Sequence, residues 1–322
     1  YLCHVAQIGT DIIFAKKVLE AGKPVAIPTE TVYGLAANAL DEKAVSRVFE
    51  VKNRPSFDPL IVHLSNKGKL DELCSHVPDN FYRLYEAFCP GPLTFIMPKS
   101  KKVPGLVTAG NPTVGLRFPD HRLTLDLLGS LDFPLAAPSA NPFGYVSPTS
   151  AQHVEKQLGG KIDYILDGGP CKVGLESTII DLSTDSMAIL RLGGLSLEEI
   201  ESVVGKVHRV KTSTSNPKAP GMLSSHYSPG KKIVFGDMED NYRIFKGQKL
   251  GSITFFRTVN CIPAEHQWVL SPGGDLREAA SKLFKSLRET DDTDLDVILA
   301  ERFPDEGLGR AINDRLMRAS AK

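Results

Sequence analysis

Cysteine is sparse in this chain. Five thiols, at Cys3, Cys74, Cys89, Cys171 and Cys261, lie far apart with no CxxC and no metal-like spacing. That pattern excludes a secreted disulfide scaffold and fits a reducing, cytoplasmic compartment. No apolar run approaches the roughly 18 residues a membrane helix needs, so no membrane partner is expected. Tyr1-Leu2-Cys3-His4 shows no charged region leading into an apolar one, so no signal peptide is expected. Net charge is missing too: 38 basic residues balance 38 acidic ones, which argues against a dedicated nucleic-acid coat. The common catalytic signatures are also absent. The sequence has no GxxxxGK[ST] phosphate loop, no HExxH and no GxSxG.

What remains is an ordinary soluble composition, 42% hydrophobic and 24% charged, over 322 residues. That length leans towards two domains. Charge marks the division. Residues 1–201 carry a net of −4 and residues 237–322 a net of −2, while the stretch between them holds six basic residues and no acidic one. The stretch also contains Thr212, Ser213, Thr214, Ser215, Asn216 and Pro217, with little to bury, so it reads as a linker. The expected domains are 1–205, a linker over 206–231, and 232–322.

Short apolar runs ending at Pro, Gly or Asp predict strands near 25–27, 60–64, 93–97, 114–118, 164–166 and 178–180. Helices are expected over 10–21, 41–51, 79–88, 120–130, 150–158 and 196–204. Asp41, Asp79, Asp120, Ser150 and Ser196 are their candidate caps. After the linker, strands near 232–235, 251–256, 267–270 and 296–300 alternate with helices near 275–289 and 308–319. Both parts read as α/β.

The residues able to do chemistry sit in polar loops around these strands. Pro28-Thr29-Glu30-Thr31-Val32-Tyr33-Gly34-Leu35 follows the first strand, where α/β proteins present ligand groups, although a capped turn into a helix fits as well. Lys52-Asn53-Arg54-Pro55 through Asp58-Pro59 is a cationic loop stiffened by prolines. It suits polyphosphate, with Lys as a point charge and Arg as a fork, or a helix-dipole partner. His63 in an apolar strand reads first as a satisfied core histidine. Ala136-Ala137-Pro138-Ser139-Ala140-Asn141-Pro142, followed by Ser147, offers small residues and uncharged hydrogen bonds. Arg117 and Arg191 lie inside apolar strand patterns, where a guanidinium needs an anionic partner or a route to water; for Arg117 a substrate carboxylate is the candidate. Glu176 and Ser177 open another strand. Several cations and many hydroxyls, without a Ser-His-Asp set or a metal cage, suit positioning of an anionic substrate and a nucleotide.

PTETVYGL at 28–35, KNRP with DPL at 52–60, His63, GLRFP at 115–119, APSAN at 137–141 and ESTIIDL at 176–182 occur in the order found in the YrdC-domain family. The chain resembles the longer, two-domain form of the threonylcarbamoyl-AMP synthases. Pro220-Gly221-Met222, Ser225-His226-Tyr227-Ser228-Pro229, Gly307-Leu308-Gly309 and Asn313-Asp314-Arg315-Leu316 extend the likeness to the end. The resemblance implies a twisted α/β YrdC-like domain with a concave active site, followed by a small Rossmann-like α/β domain. It implies that L-threonine, bicarbonate and ATP give threonylcarbamoyl-AMP and pyrophosphate, for modification of a tRNA adenosine beside the anticodon. By the same resemblance Thr31, His63, Arg117, Ala137 and Ser177 contact threonine. Arg54, Asp58, Thr113, Ser139, Asn141, Ser147, Arg191 and Tyr227 contact ATP, with Tyr227 closing over the nucleotide as part of a linker lid. Lys52 and Arg54 offset phosphate charge. Magnesium is expected to come with ATP, held mainly by its phosphates, with no metal ligand from the protein and no organic cofactor. The product would pass to the tRNA threonylcarbamoyl transferase machinery, with at most weak tRNA contact.

Two rivals remain. One is a carbamoyl-adenylating domain of hydrogenase maturation, which the linker and C-terminal part speak against. The other is an RNA-binding module, which the zero net charge and the lack of interleaved aromatic and basic residues speak against.

Overall fold

The computed structural model describes residues 5–210, 219–221 and 227–321. Half of the linker, including the Thr/Ser stretch, Met222 and His226, lies outside the described residues. The N-terminal part runs β1 (Gln7–Gly9), α1 (Ile12–Glu20), β2 (Val25–Ile27), β3 (Gly34–Asn38), α2 (Glu42–Lys52) and β4 (Ile61–His63). It continues through α3 (Leu70–Leu73), α4 (Asp79–Phe88), β5 (Leu93–Pro98), β6 (Thr113–Arg117), α5 (Arg122–Ser130) and β7 (Leu135–Ala136). Then come α6 (Ala151–Leu158), β8 (Tyr164–Leu166), β9 (Thr178–Asp181), β10 (Ala188–Arg191), α7 (Leu197–Val204) and β11 (His208–Arg209). The C-terminal part holds β12 (Lys232–Gly236), α8 (Met238–Phe245), β13 (Leu250–Thr254), β14 (Gln267–Val269), α9 (Leu276–Glu289), β15 (Val297–Glu301) and α10 (Gly309–Ala319).

Among the described residues the first eleven strands form one mixed sheet, in the order β1-β8-β2-β3-β7-β4-β6-β5-β9-β10-β11. The C-terminal four form a separate sheet, β12-β15-β13-β14, with parallel pairing throughout. Parallel strands joined through helices make this second part Rossmann-like, as the α/β alternation predicts.

Local chemistry explains the helix starts. Asp41 accepts from the amides of Lys43 and Ala44, Ser150 from that of His153, and Ser196 with Glu199 forms a reciprocal capping box. Two expected caps are corrected. Pro78 precedes α4, so Asp79 occupies its first turn, where its charge still complements the helix dipole. His121 precedes α5, and the amide of Asp120 donates instead to Glu30 Oε2 at 3.1 Å. The 28–35 segment does not turn into a helix either. It turns back as β3, antiparallel to β2.

One apolar cluster runs through both parts, including Leu175, Leu192 and Leu195 of the first with Leu283, Phe284 and Leu316 of the second. No helix among the described residues is long and apolar enough to cross a membrane.

Candidate active site

Strand register assembles the site. His63 pairs with Arg117, Arg117 with Thr94, Thr94 with Ile179, and Ile179 with Arg191. Paired residues on neighbouring strands share a face and stand about 4.8 Å apart. This row across five strands therefore lines up His63, Arg117 and Arg191, with about 14 Å between the two arginines. The register shifts between Ile189 and Arg191, a bulge that re-aims the arginine. Above the row lies a pocket that His63, Arg117 and Arg191 all line.

At the Arg117 end the side chains are packed and polar. Arg117 Nη2 pairs with Glu30 Oε1 at 2.9 Å and donates to Thr31 Oγ1 at 2.7 Å. Thr31 and Thr29 share a hydrogen bond at 2.8 Å. The anion that the strand position of Arg117 calls for is thus already present as Glu30. Arg117 Nε, however, is buried without a hydrogen-bond partner in the protein. Burial, reinforced by the Arg117 charge, depresses His63 to about 3, so its imidazole is neutral.

At the other end Arg54 pairs with Asp58 at 2.8 Å and donates to the carbonyls of Asp58 and Pro59. Burial pushes the Asp58 carboxyl up against the pull of Arg54. Arg191 donates through Nε and Nη2 to the Ser177 carbonyl at 3.2 and 2.9 Å, and through Nη1 to the Pro220 carbonyl at 3.1 Å. Both arginines line the cavity, as do His63, Arg117, Ala137, Ser139, Ser177 and Tyr227.

The remaining expected residues are placed differently. Thr31 sits behind Arg117 and Asp58 behind Arg54. Ser147 is buried, donating to Glu176 Oε1 at 2.6 Å. Thr113 is at the opposite end of β6 from Arg117. Lys52, read as a point charge for phosphate, is only 1% exposed, with its ammonium on the carbonyls of Ser139 (2.5 Å) and Asn141. Burial, helped by neighbouring Arg54, lowers its affinity for a proton. Asn53 takes the left-handed conformation just after it (φ 50°) and ends the helix, so Lys52 turns inward and ties down the 139–141 loop. Asn141 donates to the Pro142 and Tyr145 carbonyls, while its own Oδ1 is buried without a partner.

The thiols of Cys74, Cys89 and Cys171 are pushed up to about 12, chiefly by burial, and stay protonated. Among the described residues no cluster of His, Cys, Asp or Glu is arranged to hold a metal ion.

Comparison with known proteins decides the family. Residues 17–193 match the family described as "Telomere recombination", and residues 195–321 match "Threonylcarbamoyl-AMP synthase, C-terminal domain". The threonylcarbamoyl-AMP synthase of Pyrococcus abyssi is 43% identical over 96% of this chain and 94% of its own. That of Bacillus subtilis is 39% identical over 95% and 92%. This chain belongs to the threonylcarbamoyl-AMP synthase family. The crystal structure of P. abyssi Sua5 complexed with L-threonine superposes with a TM-score of 0.91, at 41% identity, covering 98% of this chain and 97% of that one.

Within this synthase family frame, two residues escaped the assignment of roles from sequence. Glu30 was visible only as one carboxylate in a polar loop, and only its ion pair in the folded chain shows that it faces Arg117. Glu176, which lines the cavity, gave its signal as an acid placed directly before a strand.

Proposed function

We infer that the chain is a nucleotidyltransferase that joins L-threonine, bicarbonate and ATP into threonylcarbamoyl-AMP with release of pyrophosphate. The observation that carries this reading is the two-ended cavity. The Thr29 hydroxyl, the His63 imidazole and Arg117 stand at one end. Arg54 and Arg191 stand at the other.

Threonine docks with its carboxylate towards Arg117, which Thr31 holds from behind, and beside the hydroxyl of Ser177. Neutral His63 packs against it without taking a proton from the amine. Bicarbonate gives carbon dioxide and hydroxide; the free amine bonds to the carbon dioxide to become a carbamate, and the proton it sheds joins the hydroxide as water. A carbamate oxygen then bonds to the α-phosphorus as the bond to the β-phosphate oxygen breaks, and pyrophosphate leaves. Arg54 and Arg191 stabilise the negative charge that shifts onto the leaving group. Lys52 acts at one remove by fixing the Ser139 and Asn141 carbonyls. Magnesium arrives with the triphosphate as part of the substrate. Because carbamates lose carbon dioxide readily, the site works best screened from water, and the buried Tyr227 belongs to that screen. The product passes, in the cytoplasm, to the machinery that modifies the tRNA adenosine beside the anticodon.

The deciding experiment follows pyrophosphate release from ATP in bicarbonate with L-threonine, with L-serine and with no amino acid. Threonine-dependent release with an AMP-linked product is expected, and Arg54→Ala should depress it at least tenfold, the loss that removal of one charged stabiliser brings. Release indifferent to the amino acid would overturn the reading.

A further inference from the structure

The end of the C-terminal part supplies a residue to this site from behind. Arg315, on α10, is 0% exposed, and its Nε donates to Glu176 Oε2 at 2.9 Å. Its Nη2 donates to the Leu192 carbonyl at 2.9 Å and its Nη1 to Asp314 at 2.8 Å. The guanidinium also lies 4.9 Å from the centre of the Tyr227 ring, and that ring stacks on Phe284 of α9.

Glu176 is the one carboxylate lining the cavity among the described residues, and it shares that wall with Arg191 and Tyr227. A bare carboxylate there would act against a polyphosphate twice. It would repel the phosphates, and it would draw Arg191 into an ion pair. In the observed arrangement Arg315 holds one carboxylate oxygen and Ser147 the other. Arg191 donates instead to Ser177 and to the Pro220 carbonyl, all neutral groups, so its charge stays available. Burial works to raise the Glu176 carboxyl, but Arg315 and then Arg191 outweigh it and hold it below the ordinary carboxylate range.

We propose that Arg315 is a positioning residue for the nucleotide, neutralising Glu176 so that Arg191 faces the phosphates of ATP. The C-terminal domain is thereby part of the binding wall rather than an appendage. This rests on the adenylate-forming reading of the cavity.

Magnesium-ATP is titrated calorimetrically into the full-length protein, Arg315→Met, Arg315→Lys and the double variant Arg315→Met with Glu176→Gln. Steady-state KM values for ATP and L-threonine are taken in parallel. Arg315→Met should weaken ATP at least tenfold, because it strands a buried charge, and change the KM for L-threonine less than about threefold. The double variant should recover most of the loss, since the stranded charge is gone. ATP affinity of Arg315→Met should also improve between pH 8 and pH 6 as Glu176 takes up a proton, a trend the wild type should lack. A double variant no better than Arg315→Met, or equal weakening of both substrates with no pH trend, would overturn the proposal. Should Arg315→Met fail to fold, recovery of a folded, ATP-binding protein in the double variant supports it, and a folded double that binds ATP poorly refutes it. ATP binding by the wild type without threonine-dependent pyrophosphate would remove the proposed reaction and leave this comparison standing. Absence of ATP binding in the wild type would remove both.

Discussion

At the scale of single residues, buried ionisable groups in this chain divide by whether a partner waits for them. Arg117, Arg54 and Arg315 each meet a carboxylate, which offsets part of the cost of burying a charge. His63 and His153 meet cations instead. Burial and Arg117 hold His63 near 3; burial with Arg288, Lys285 and Lys156 holds His153 near 4. Both are neutral in the fold, whereas in the unfolded chain they titrate near the ordinary histidine value, about 6.5. Between about pH 6.5 and pH 4 the unfolded chain therefore binds more protons, and stability falls as pH falls through that window. It is fully present above pH 6.5. Buried His63 contributes up to about 1.4 kcal/mol per pH unit, and half-buried His153 less, because solvent screens its cationic neighbours. Urea unfolding at pH 7 and pH 5 should show this slope, and replacing both His63 and His153 by Gln should flatten it. An undiminished slope in the double variant would show that other groups carry the acid sensitivity.

At the scale of elements, the sequence made the strands legible because each is a short apolar run ended by Pro, Gly or Asp, and it located the site loops because they follow those runs. It did not reveal which strands are neighbours. The row from His63 through Arg117 to Arg191 depends on the pairing of β4 with β6 and of β5 with β9, strands far apart in the chain, and no periodicity encodes that. The inward turn of Lys52 was hidden for a similar reason, since its carbonyl partners are 87 and 89 residues away. Gly193, just after β10, shows how close the strand ends come. A Cβ there would lie 2.2 Å from the Glu176 carbonyl oxygen and 2.5 Å from the Ser177 carbonyl carbon, both backbone atoms. Gly193→Ala should therefore push β9 and β10 apart at the point where Arg191 meets the Ser177 carbonyl. The expected cost is about 1–3 kcal/mol, together with loss of threonine-dependent pyrophosphate release. Thermal unfolding and the pyrophosphate assay check it, and a variant with wild-type melting and rate would show that the strand ends are not the rigid frame described.

At the scale of the whole molecule, the two parts share one apolar cluster. Their surface ion pairs, such as Arg277 with Glu199 at 3.2 Å, contribute little by themselves. The shared apolar cluster and the buried arginines do more. Arg288 of α9 donates to the carbonyls of Ser147 (3.3 Å) and Val146 across the interface, and Arg315 reaches Glu176. Removing either would leave buried polar groups without partners. Close approach of α9 to the first domain depends on Gly174, whose φ of +74° suits glycine and whose added Cβ would lie 2.5 Å from Ser281 Cα. Gly174→Val thus combines backbone strain with a wedge between the parts, without altering a side chain that lines the cavity. Calorimetry of the wild type should give a single transition, because a continuous core cannot melt in halves. Gly174→Val should split that transition in two and abolish adenylate formation, since Arg315 and Phe284 would no longer back the nucleotide wall. A variant that keeps one transition but loses activity would place the fault in the loop around Gly174. Two transitions with full activity would mean that the first domain completes its site without the second, contrary to the shared wall that Glu176, Tyr227 and Arg315 build.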